Sequence, residues 1–356
     1  MMSWENNIRK VVPYVPGEQP VGEGIIKLNT NENPYPPAPG VEAALREVAD
    51  EYAIMRKYPD PDAGLLTHAL SDFYGVPEES IFVGVGSDDV LAMSFMTFFD
   101  SDKPVLFADI TYSFYEVWAD LFRIPHKLIP LRGDFSIDPE AYMQLNGGIV
   151  IANPNAPTSL YLDVSDIERI IAANPDSVVI VDEAYIDFGG TSALPMIDKY
   201  DNLLVVQTFS KSRSMAGVRV GVAFGSPKLI AYLKDVKFSF NSYTMSQDAI
   251  RIGAAAASLS DRDYFEDVVR RIIATREDAA ARLRAMGFEV IDSSTNFLFV
   301  THPGHRALGI FEALRERRIY VRYFNKPRID DHLRITVGTP EEMESLYTAL
   351  ADILGA

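Results

Sequence analysis

Short runs of aliphatic and β-branched residues recur through the first two thirds of the chain, with stretches of helical spacing such as Asp163 to Ala173 between several of them. Such a run is typical of a strand that is buried on both faces. The runs are Ile81 to Val83, Val105 to Ala108, Gly148 to Ala152, Val178 to Asp182 and Leu203 to Thr208. Because strands that alternate with helices form a mostly parallel sheet covered on both faces, the pattern predicts an α/β fold.

The pattern changes after about Asn241. A single long helix is predicted from Gln247 to Met286, and four short strands follow it between helices, at Phe288 to Ile291, Phe297 to Val300, Tyr320 to Arg322 and Leu333 to Thr336. A chain of 356 residues is also long enough for two domains. We therefore expect an N-terminal arm (1–30) that packs with the small domain, a large α/β domain (31–244) and a small α+β domain (245–356).

Charge and cysteine content exclude several classes of function. The net charge of −17 argues against non-specific binding of nucleic acid. The absence of cysteine excludes disulfides, thiolate metal sites and cysteine nucleophiles. No zinc motif accompanies the scattered histidines, and the longest apolar run, near Val178 to Val181, is too short to span a bilayer. We expect a soluble, cytoplasmic protein without a metal and without a nucleic-acid or membrane partner.

Three charged residues stand where hydrophobic runs end: Asp182, Lys211 and Arg219. Ligands of open parallel sheets bind outside the carboxyl ends of the strands, so these residues are candidates for one shared site. Pyridoxal phosphate needs a lysine that forms a Schiff base and a carboxylate that keeps its ring nitrogen protonated. Burial would lower the pKa of that lysine and make it nucleophilic. Taken singly, the three residues also suit a helix cap, a surface lysine and an ion pair, and both interpretations stay open on these residues alone.

A glycine-containing turn, Gly84-Val85-Gly86-Ser87-Asp88, follows a strand and opens a helix. It lacks the third glycine of a dinucleotide-binding fingerprint, so it is a weak indication of such a site. It better suits a helix N-terminus that binds an anion. A cofactor phosphate could be bound there by Ser87, Asp88, Ser210 and Arg219.

Several longer motifs resemble one known family, the fold-type-I pyridoxal-phosphate-dependent aminotransferases, and within it the histidinol-phosphate aminotransferase branch. Four of them surround the charged residues: Asn153–Thr158, Val181–Phe188, Phe209–Lys211 and Gly217–Gly221. Four others lie elsewhere: Pro13–Gly17, Asn29–Pro34, Lys57–Asp60 and Leu333–Gly338. The resemblance covers nearly the whole chain, and it implies a large domain with a mostly parallel sheet and a smaller α+β domain.

The resemblance implies a role for each matching residue around the cofactor. Lys211 would be the Schiff-base lysine and general base, and Asp182 would pair with the pyridinium. Tyr185 and Asn153 would hydrogen-bond the phenolic oxygen, while Tyr112 would stack on the ring. The phosphate would be bound by Ser87, Asp88, Ser210 and Arg219.

Further roles concern the substrate and the partner subunit. Tyr58 would reach the phosphate of the neighbouring subunit's cofactor, which implies a homodimer with shared sites. The substrate's anionic group would be bound by Arg334 and Arg322, with Asn33 and Tyr14 lining the pocket. The family usually reads Asn-Pro-Asn-Asn-Pro-Thr-Gly, whereas Ala156 and Ser159 depart from it here. Since Ser159 lacks the freedom of glycine at positive φ, the local loop geometry is in question.

The implied reaction transfers an amino group from L-histidinol phosphate to 2-oxoglutarate, giving imidazole-acetol phosphate and L-glutamate in histidine biosynthesis. Three alternatives stay open on the sequence. They are an aromatic amino-acid aminotransferase of broad specificity, a decarboxylase of a phosphorylated amino acid, and a cofactor-free binding protein on the same scaffold.

Overall fold

The structure is a computed structural model that describes residues 3–355, and its strands form one large sheet and two small ones. The strands are β1 (Ile26–Lys27), β2 (Ile81–Val85), β3 (Val105–Ala108), β4 (His126–Ile129), β5 (Gly148–Ala152), β6 (Val179–Asp182), β7 (Leu203–Thr208), β8 (Val220–Gly225), β9 (Glu289–Val290), β10 (Phe297–Thr301), β11 (Ile319–Tyr320), β12 (Arg322–Tyr323) and β13 (His332–Thr336). The helices are α1 (Pro39–Asp50), α2 (Gly64–Tyr74), α3 (Gly86–Phe98), α4 (Phe114–Phe122), α5 (Val164–Ala173), α6 (Pro227–Phe240), α7 (Gln247–Ala256), α8 (Arg262–Ala285), α9 (Ala307–Glu316) and α10 (Pro340–Leu354).

The large sheet has seven strands in the order β2-β8-β7-β6-β5-β3-β4. The five strands from β7 to β4 are parallel to one another, whereas β8 runs antiparallel to both β7 and β2. The predicted α/β fold with a mostly parallel sheet is therefore confirmed. The sequence did not predict β4, which has two exposed residues, or β8, in which glycines interrupt the apolar run.

Helices cover both faces of the large sheet. Side chains alternate along a strand, so β7 places Leu203 and Val205 on one face and Leu204 and Val206 on the other. The first face packs against α1, α2, α5 and α7, and the second packs against α3, α4 and α6. These four side chains are fully buried, which explains why the sequence of this part of β7 is a continuous apolar run.

The predicted single helix from Gln247 to Met286 is wrong. Helix α7 ends at Ala256, and α8 begins at Arg262 after a short 3-10 turn. The turn is stabilised by Ser258, whose hydroxyl accepts the N–H of Ser260. The break is fixed to the rest of the protein by Asp261, whose carboxylate accepts the N–H of Gly40 at 2.8 Å.

The C-terminal part of the chain forms a four-stranded sheet in the order β12-β13-β10-β9. Helices α8, α9 and α10 pack against this sheet around a separate apolar core. The N-terminal segment joins this part, since β1 pairs in parallel with β11. The domain boundaries at residues 30/31 and 244/245 stay predictions. Across residues 3–355, no helix has the length and apolarity that crossing a membrane requires.

Ser159, one of the two departures from the family pattern, adopts a left-handed backbone conformation with φ of 66°. Its side chain is fully buried. The hydroxyl is directed at the carbonyl oxygens of Thr158 and Asp292, at 2.5 and 3.2 Å. The backbone N–H of Ser294 also donates to the Ser159 carbonyl at 3.0 Å. Serine thus accepts a strained backbone and gains a hydrogen bond to the segment that leads into β10.

We expect Ser159→Gly to be close to the wild type in stability, because it removes the strain together with the hydroxyl. Ser159→Ala loses the same hydroxyl but keeps the strain, so it should be less stable than Ser159→Gly by about 1 kcal/mol. Apparent free energies of unfolding from urea titrations of the three proteins test this order. Equal stability of the glycine and alanine variants would show that the left-handed conformation costs nothing here.

Candidate active site

A cavity of about 830 Å³ lies beside the carboxyl ends of the parallel strands. This is the edge at which ligands of open α/β sheets bind, and the volume is that of a typical small-molecule site. Six residues predicted from the sequence line it: Tyr14, Tyr112, Tyr185, Lys211, Arg322 and Arg334. The fold thus brings candidate cofactor and substrate residues to one cavity.

Lys211 follows β7, and its ammonium donates to the carbonyl oxygen of Thr30 at 3.1 Å. Burial first, and then the positive charge of Arg334, lowers the pKa of the lysine to about 8. The ammonium lies 5.9 Å from the ring centroid of Tyr185. A lysine with this pKa is partly neutral at physiological pH and can act as a nucleophile or a base.

Asn33 does not line the cavity, contrary to the prediction from the sequence. Its side-chain amide donates to the backbone carbonyls of Lys211 and Ser212, at 3.0 and 3.2 Å. Its carbonyl oxygen accepts the N–H of Tyr35 at 3.0 Å. Because both ends of the amide are occupied by the backbone, Asn33 fixes the loop that carries the lysine.

Asp182, the last residue of β6, is buried, with 5% of its surface exposed. Its carboxylate accepts the hydroxyl of Tyr115 at 2.6 Å and the N–H of Ala184 at 3.2 Å. Burial raises the pKa of Asp182 to about 6. Within residues 3–355 both hydrogen-bond donors are neutral, so this carboxylate suits a cationic ring nitrogen, as pyridoxal phosphate would supply.

Tyr115 is a site residue that the sequence does not indicate. It lies in α4 among apolar neighbours and is fully buried, so its sequence context is that of an ordinary core tyrosine. Only the contact with Asp182, which lies 67 positions away, reveals its role.

A cluster around Asp88 brings together the residues predicted to bind the phosphate. Its carboxylate accepts the hydroxyl of Tyr112 at 2.7 Å and the guanidinium of Arg219 at 3.2 Å. That guanidinium also approaches the hydroxyl of Ser210 at 3.4 Å. Ser87 lies in the same first turn of α3. An arginine and two hydroxyls at a helix N-terminus suit a phosphate group.

Two glycines permit this arrangement. Gly86 has φ of 80°, and a Cβ there would lie 2.5 Å from Nη2 of Arg219. A Cβ on Gly221 would lie 2.4 Å from the backbone nitrogen of Ser87. The absence of side chains therefore lets the arginine and β8 approach the start of α3 closely.

Tyr185 and Asn153 differ in their contacts. The Tyr185 hydroxyl accepts the side-chain N–H of Asn31 at 2.9 Å, and the residue lines the cavity. Asn153 instead forms two hydrogen bonds with the backbone of Leu162, at 2.8 and 2.9 Å. These bonds use the carbonyl oxygen and one N–H of the side-chain amide, so the second N–H is left for another acceptor, and the contact with the cofactor's phenolic oxygen stays a prediction. Ala156 lies on the cavity wall in the same motif.

Arg322 and Arg334 are direct cross-strand partners on β12 and β13. Arg334 donates to the carbonyl of Asn29 at 2.8 Å, and its Nε has no hydrogen-bond partner among the described residues. Both guanidiniums lie 5.5 Å from the ring centroid of Phe324. Two arginines on one wall of the cavity form a site for an anionic substrate group.

Tyr58 lies apart from the cavity in this single chain. It is 80% exposed and stacks on Tyr243 with ring centroids 4.7 Å apart. Exposed apolar side chains occur near Tyr58 in the sequence, at Tyr52 and Met55, and near its ring partner Tyr243, at Phe240. One chain therefore does not bring Tyr58 to its own site, and its predicted role requires a second chain.

The sheet topology and the Lys–Asp–Arg site define a fold-type-I enzyme of the pyridoxal-phosphate-dependent class. The chain belongs to the family Aminotransferase class I and II, whose profile matches residues 23–350. It is 51% identical over 351 residues to a histidinol-phosphate aminotransferase of Clostridium acetobutylicum, with 99% of each chain covered. It is 52% identical over 351 residues to one of Acinetobacter baylyi, covering 98% of this chain and 97% of that relative.

A solved structure supports the fold. The histidinol-phosphate aminotransferase of Sinorhizobium meliloti, determined in complex with pyridoxal 5′-phosphate, superposes with a TM-score of 0.83 at 24% identity. The match covers 93% of this chain and 91% of that one. The predicted family, fold and cofactor are confirmed, whereas the roles of single residues stay proposals.

The lowered pKa of Lys211 has a measurable consequence. Only the neutral amine reacts with an aldehyde, and a pKa of about 8 leaves roughly a tenth of it neutral at pH 7, against about one in three thousand for an ordinary lysine. We expect the rate at which the apoprotein incorporates pyridoxal phosphate to rise with pH and level off above a midpoint near 8. Stopped-flow absorbance measures this rate. Arg334→Gln should move the midpoint upward, and a wild-type midpoint above 10 would contradict the assignment.

Proposed function

We propose that this chain is a pyridoxal-phosphate-dependent aminotransferase that transfers the amino group of L-histidinol phosphate to 2-oxoglutarate. The products are imidazole-acetol phosphate and L-glutamate. The observation that carries the proposal is the pair Arg322 and Arg334, which lies in the same cavity as Lys211. Guanidinium groups bind both phosphate and carboxylate, so one pair can serve the donor and the acceptor in turn. A cytoplasmic location stays a prediction.

The residues of the cavity, together with Asp182 and the cluster around Asp88, fit the cofactor. Lys211 would hold it covalently, Asp182 would face its ring nitrogen, and Tyr112 would stack on the ring. The cluster of Ser87, Asp88, Ser210 and Arg219 would bind its phosphate. When bound, pyridoxal phosphate supplies a ring that accepts the electrons left when a donor loses its Cα proton.

The protein's own groups move and hold the protons. The amine of Lys211 can take the Cα proton of the donor, because burial keeps its pKa near 8. Asp182 holds a proton on the ring nitrogen, since a buried carboxylate with neutral partners gains most from a cationic neighbour. Arg334 and Arg322 hold the anionic end of the substrate and thereby orient its Cα toward Lys211.

A single-turnover experiment tests the substrate. The holoenzyme is mixed in turn with histidinol phosphate, phenylalanine, tyrosine and phosphothreonine, and the change in visible absorbance is followed. We expect the fastest conversion with histidinol phosphate, and no conversion in Lys211→Ala, because the covalent attachment and the base are both lost. Lys228→Ala, at an exposed position on α6, is the matched control and should behave like the wild type.

Other outcomes point to other functions. Faster conversion of phenylalanine or tyrosine would indicate an aromatic aminotransferase. Release of carbon dioxide from phosphothreonine would indicate a decarboxylase. A wild-type protein that binds no pyridoxal phosphate would exclude both aminotransferase functions and the decarboxylase.

We further propose that the enzyme is a homodimer in which Tyr58 completes the partner's phosphate site. The exposed Tyr58 and the apolar side chains near it in the sequence support this arrangement. Sedimentation should give twice the 39.6 kDa mass of one chain. A monomer at micromolar concentration would overturn the proposal.

Complementation tests the shared site directly. Tyr58→Phe should weaken the binding of pyridoxal phosphate by roughly tenfold, because it removes a hydrogen bond to a charged group. A mixture of Tyr58→Phe and Lys211→Ala chains, refolded together at limiting cofactor, should exceed the summed activity of the two variants. One site of each mixed dimer would then contain both Lys211 and Tyr58. Tyr52→Phe is the matched control, and an activity no greater than the sum would contradict shared sites.

A further inference from the structure

The segment Asn29–Asn31 contacts three residues of the candidate site at once. Arg334 donates to the carbonyl of Asn29 at 2.8 Å, and Lys211 donates to the carbonyl of Thr30 at 3.1 Å. Asn31 makes the third contact through its side chain, whose nitrogen donates to the hydroxyl oxygen of Tyr185 at 2.9 Å. Of the three, only this last contact depends on the identity of the side chain in the segment.

The direction of the Asn31 hydrogen bond is fixed by its surroundings. The backbone N–H of Asn31 donates to Oγ1 of Thr336 at 3.0 Å. The single hydroxyl proton of Thr336 is then directed to Oδ1 of Asn31, at 3.1 Å. This orientation gives the buried Thr336 proton an acceptor in Oδ1 and makes Nδ2 the atom that faces Tyr185. Asn31 therefore donates to Tyr185 and cannot accept from it.

The hydroxyl of Tyr185 consequently keeps its own proton for another acceptor. We propose that Asn31 is a positioning residue that makes Tyr185 a hydrogen-bond donor toward the phenolic oxygen of bound pyridoxal phosphate, and that it thereby sets the pH at which the cofactor on Lys211 takes up its proton. This inference rests on the proposed function, because it requires the cofactor on Lys211. Its test uses a spectroscopic midpoint that is separate from turnover.

Asn31 is also fixed by contacts that do not involve Tyr185. It is 1% exposed, and its backbone carbonyl accepts the side-chain N–H of Asn296 at 3.0 Å. Thr336 lies on β13, two positions after Arg334. The hydrogen-bond direction at Tyr185 thus depends on the same strand that carries the anion-binding arginine.

The backbone of Asn31 allows clean substitutions. Its φ of 57° lies in the left-handed region, which asparagine, aspartate and glycine all tolerate. Asn31→Gly removes the donor, and Asn31→Asp replaces it with an acceptor of the same shape. Other charged or titratable groups near Tyr185 are unchanged in both variants; they are Arg334, Asp182, Tyr14, Tyr112, Tyr115 and Lys211.

The experiment is a pH titration of the visible absorbance band of the holoenzyme. We expect both variants to raise the midpoint, Asn31→Asp by about one pH unit or more, which is a tenfold change in proton affinity. A loss of donation to the phenolic oxygen makes the Lys211-bound cofactor more basic. Tyr185→Phe should raise the midpoint too, and adding Asn31→Gly to it should produce no further shift.

The Tyr185→Phe background separates the hydrogen bond from the added charge. The negative charge of Asn31→Asp shifts the midpoint both in the wild type and in Tyr185→Phe. The difference between these two shifts therefore measures the effect that depends on the Tyr185 hydroxyl. Thr336→Val, which loses the orienting hydroxyl, should raise the midpoint, whereas Thr336→Ser should restore it. These two variants keep the test possible if the Asn31 variants fold poorly.

Two results would overturn the inference. One is a wild-type midpoint in Asn31→Gly and Thr336→Val, and the other is an Asn31→Gly shift that persists undiminished in Tyr185→Phe. Failure of the proposed function looks different. In that case the wild-type protein itself shows no visible band that depends on Lys211.

Discussion

The burial of Asp182 without a cationic partner is the constraint on which the site depends. Its folded-state pKa of about 6 exceeds the ordinary value of 3.8. The folded protein therefore binds more protons than the unfolded chain between these values, and Asp182 lowers stability as the pH rises through that window. Above it the carboxylate is buried and charged, at a cost that a cationic ring nitrogen would offset. Asp182 thus favours the binding of a cofactor whose ring nitrogen is cationic.

The Asn29–Asn33 segment is the second element on which the geometry depends. It lies outside the large sheet, yet it contacts Lys211, Tyr185 and Arg334, which come from three separate parts of the chain. The side-chain amide of Asn33 also donates to the backbone carbonyl of Lys211. The segment thus holds the site in two ways, through the backbone carbonyls of Asn29 and Thr30 and through the side-chain amides of Asn31 and Asn33.

The sequence predicted the strands and the charged residues at their ends because both depend on local patterns. A buried parallel strand reads as an apolar run, and the residue that follows it lies at the ligand-binding edge. Tyr115 and Asn31 could not be predicted, because their partners lie 67 and 154 positions away. Asn33 shows a second limit of the sequence, because its amide binds the backbone of the lysine loop and does not line the cavity. Resemblance identifies the residue type, but only tertiary contacts decide where an amide points.

The Asn153–Thr158 motif shows how these limits bear on function. Asn153 uses its carbonyl oxygen and one side-chain N–H on the backbone of Leu162, whereas the amide of Asn155 is fully used by Ile110, Thr158 and Thr111. Ala156, on the cavity wall, offers no hydrogen-bond donor from its side chain. A cofactor oxygen on this side would therefore accept from Tyr185 or Asn153, and Asn31 favours donation by Tyr185 because it occupies an acceptor site on the hydroxyl oxygen. A departure in one loop thus places more weight on a hydrogen bond that begins in another.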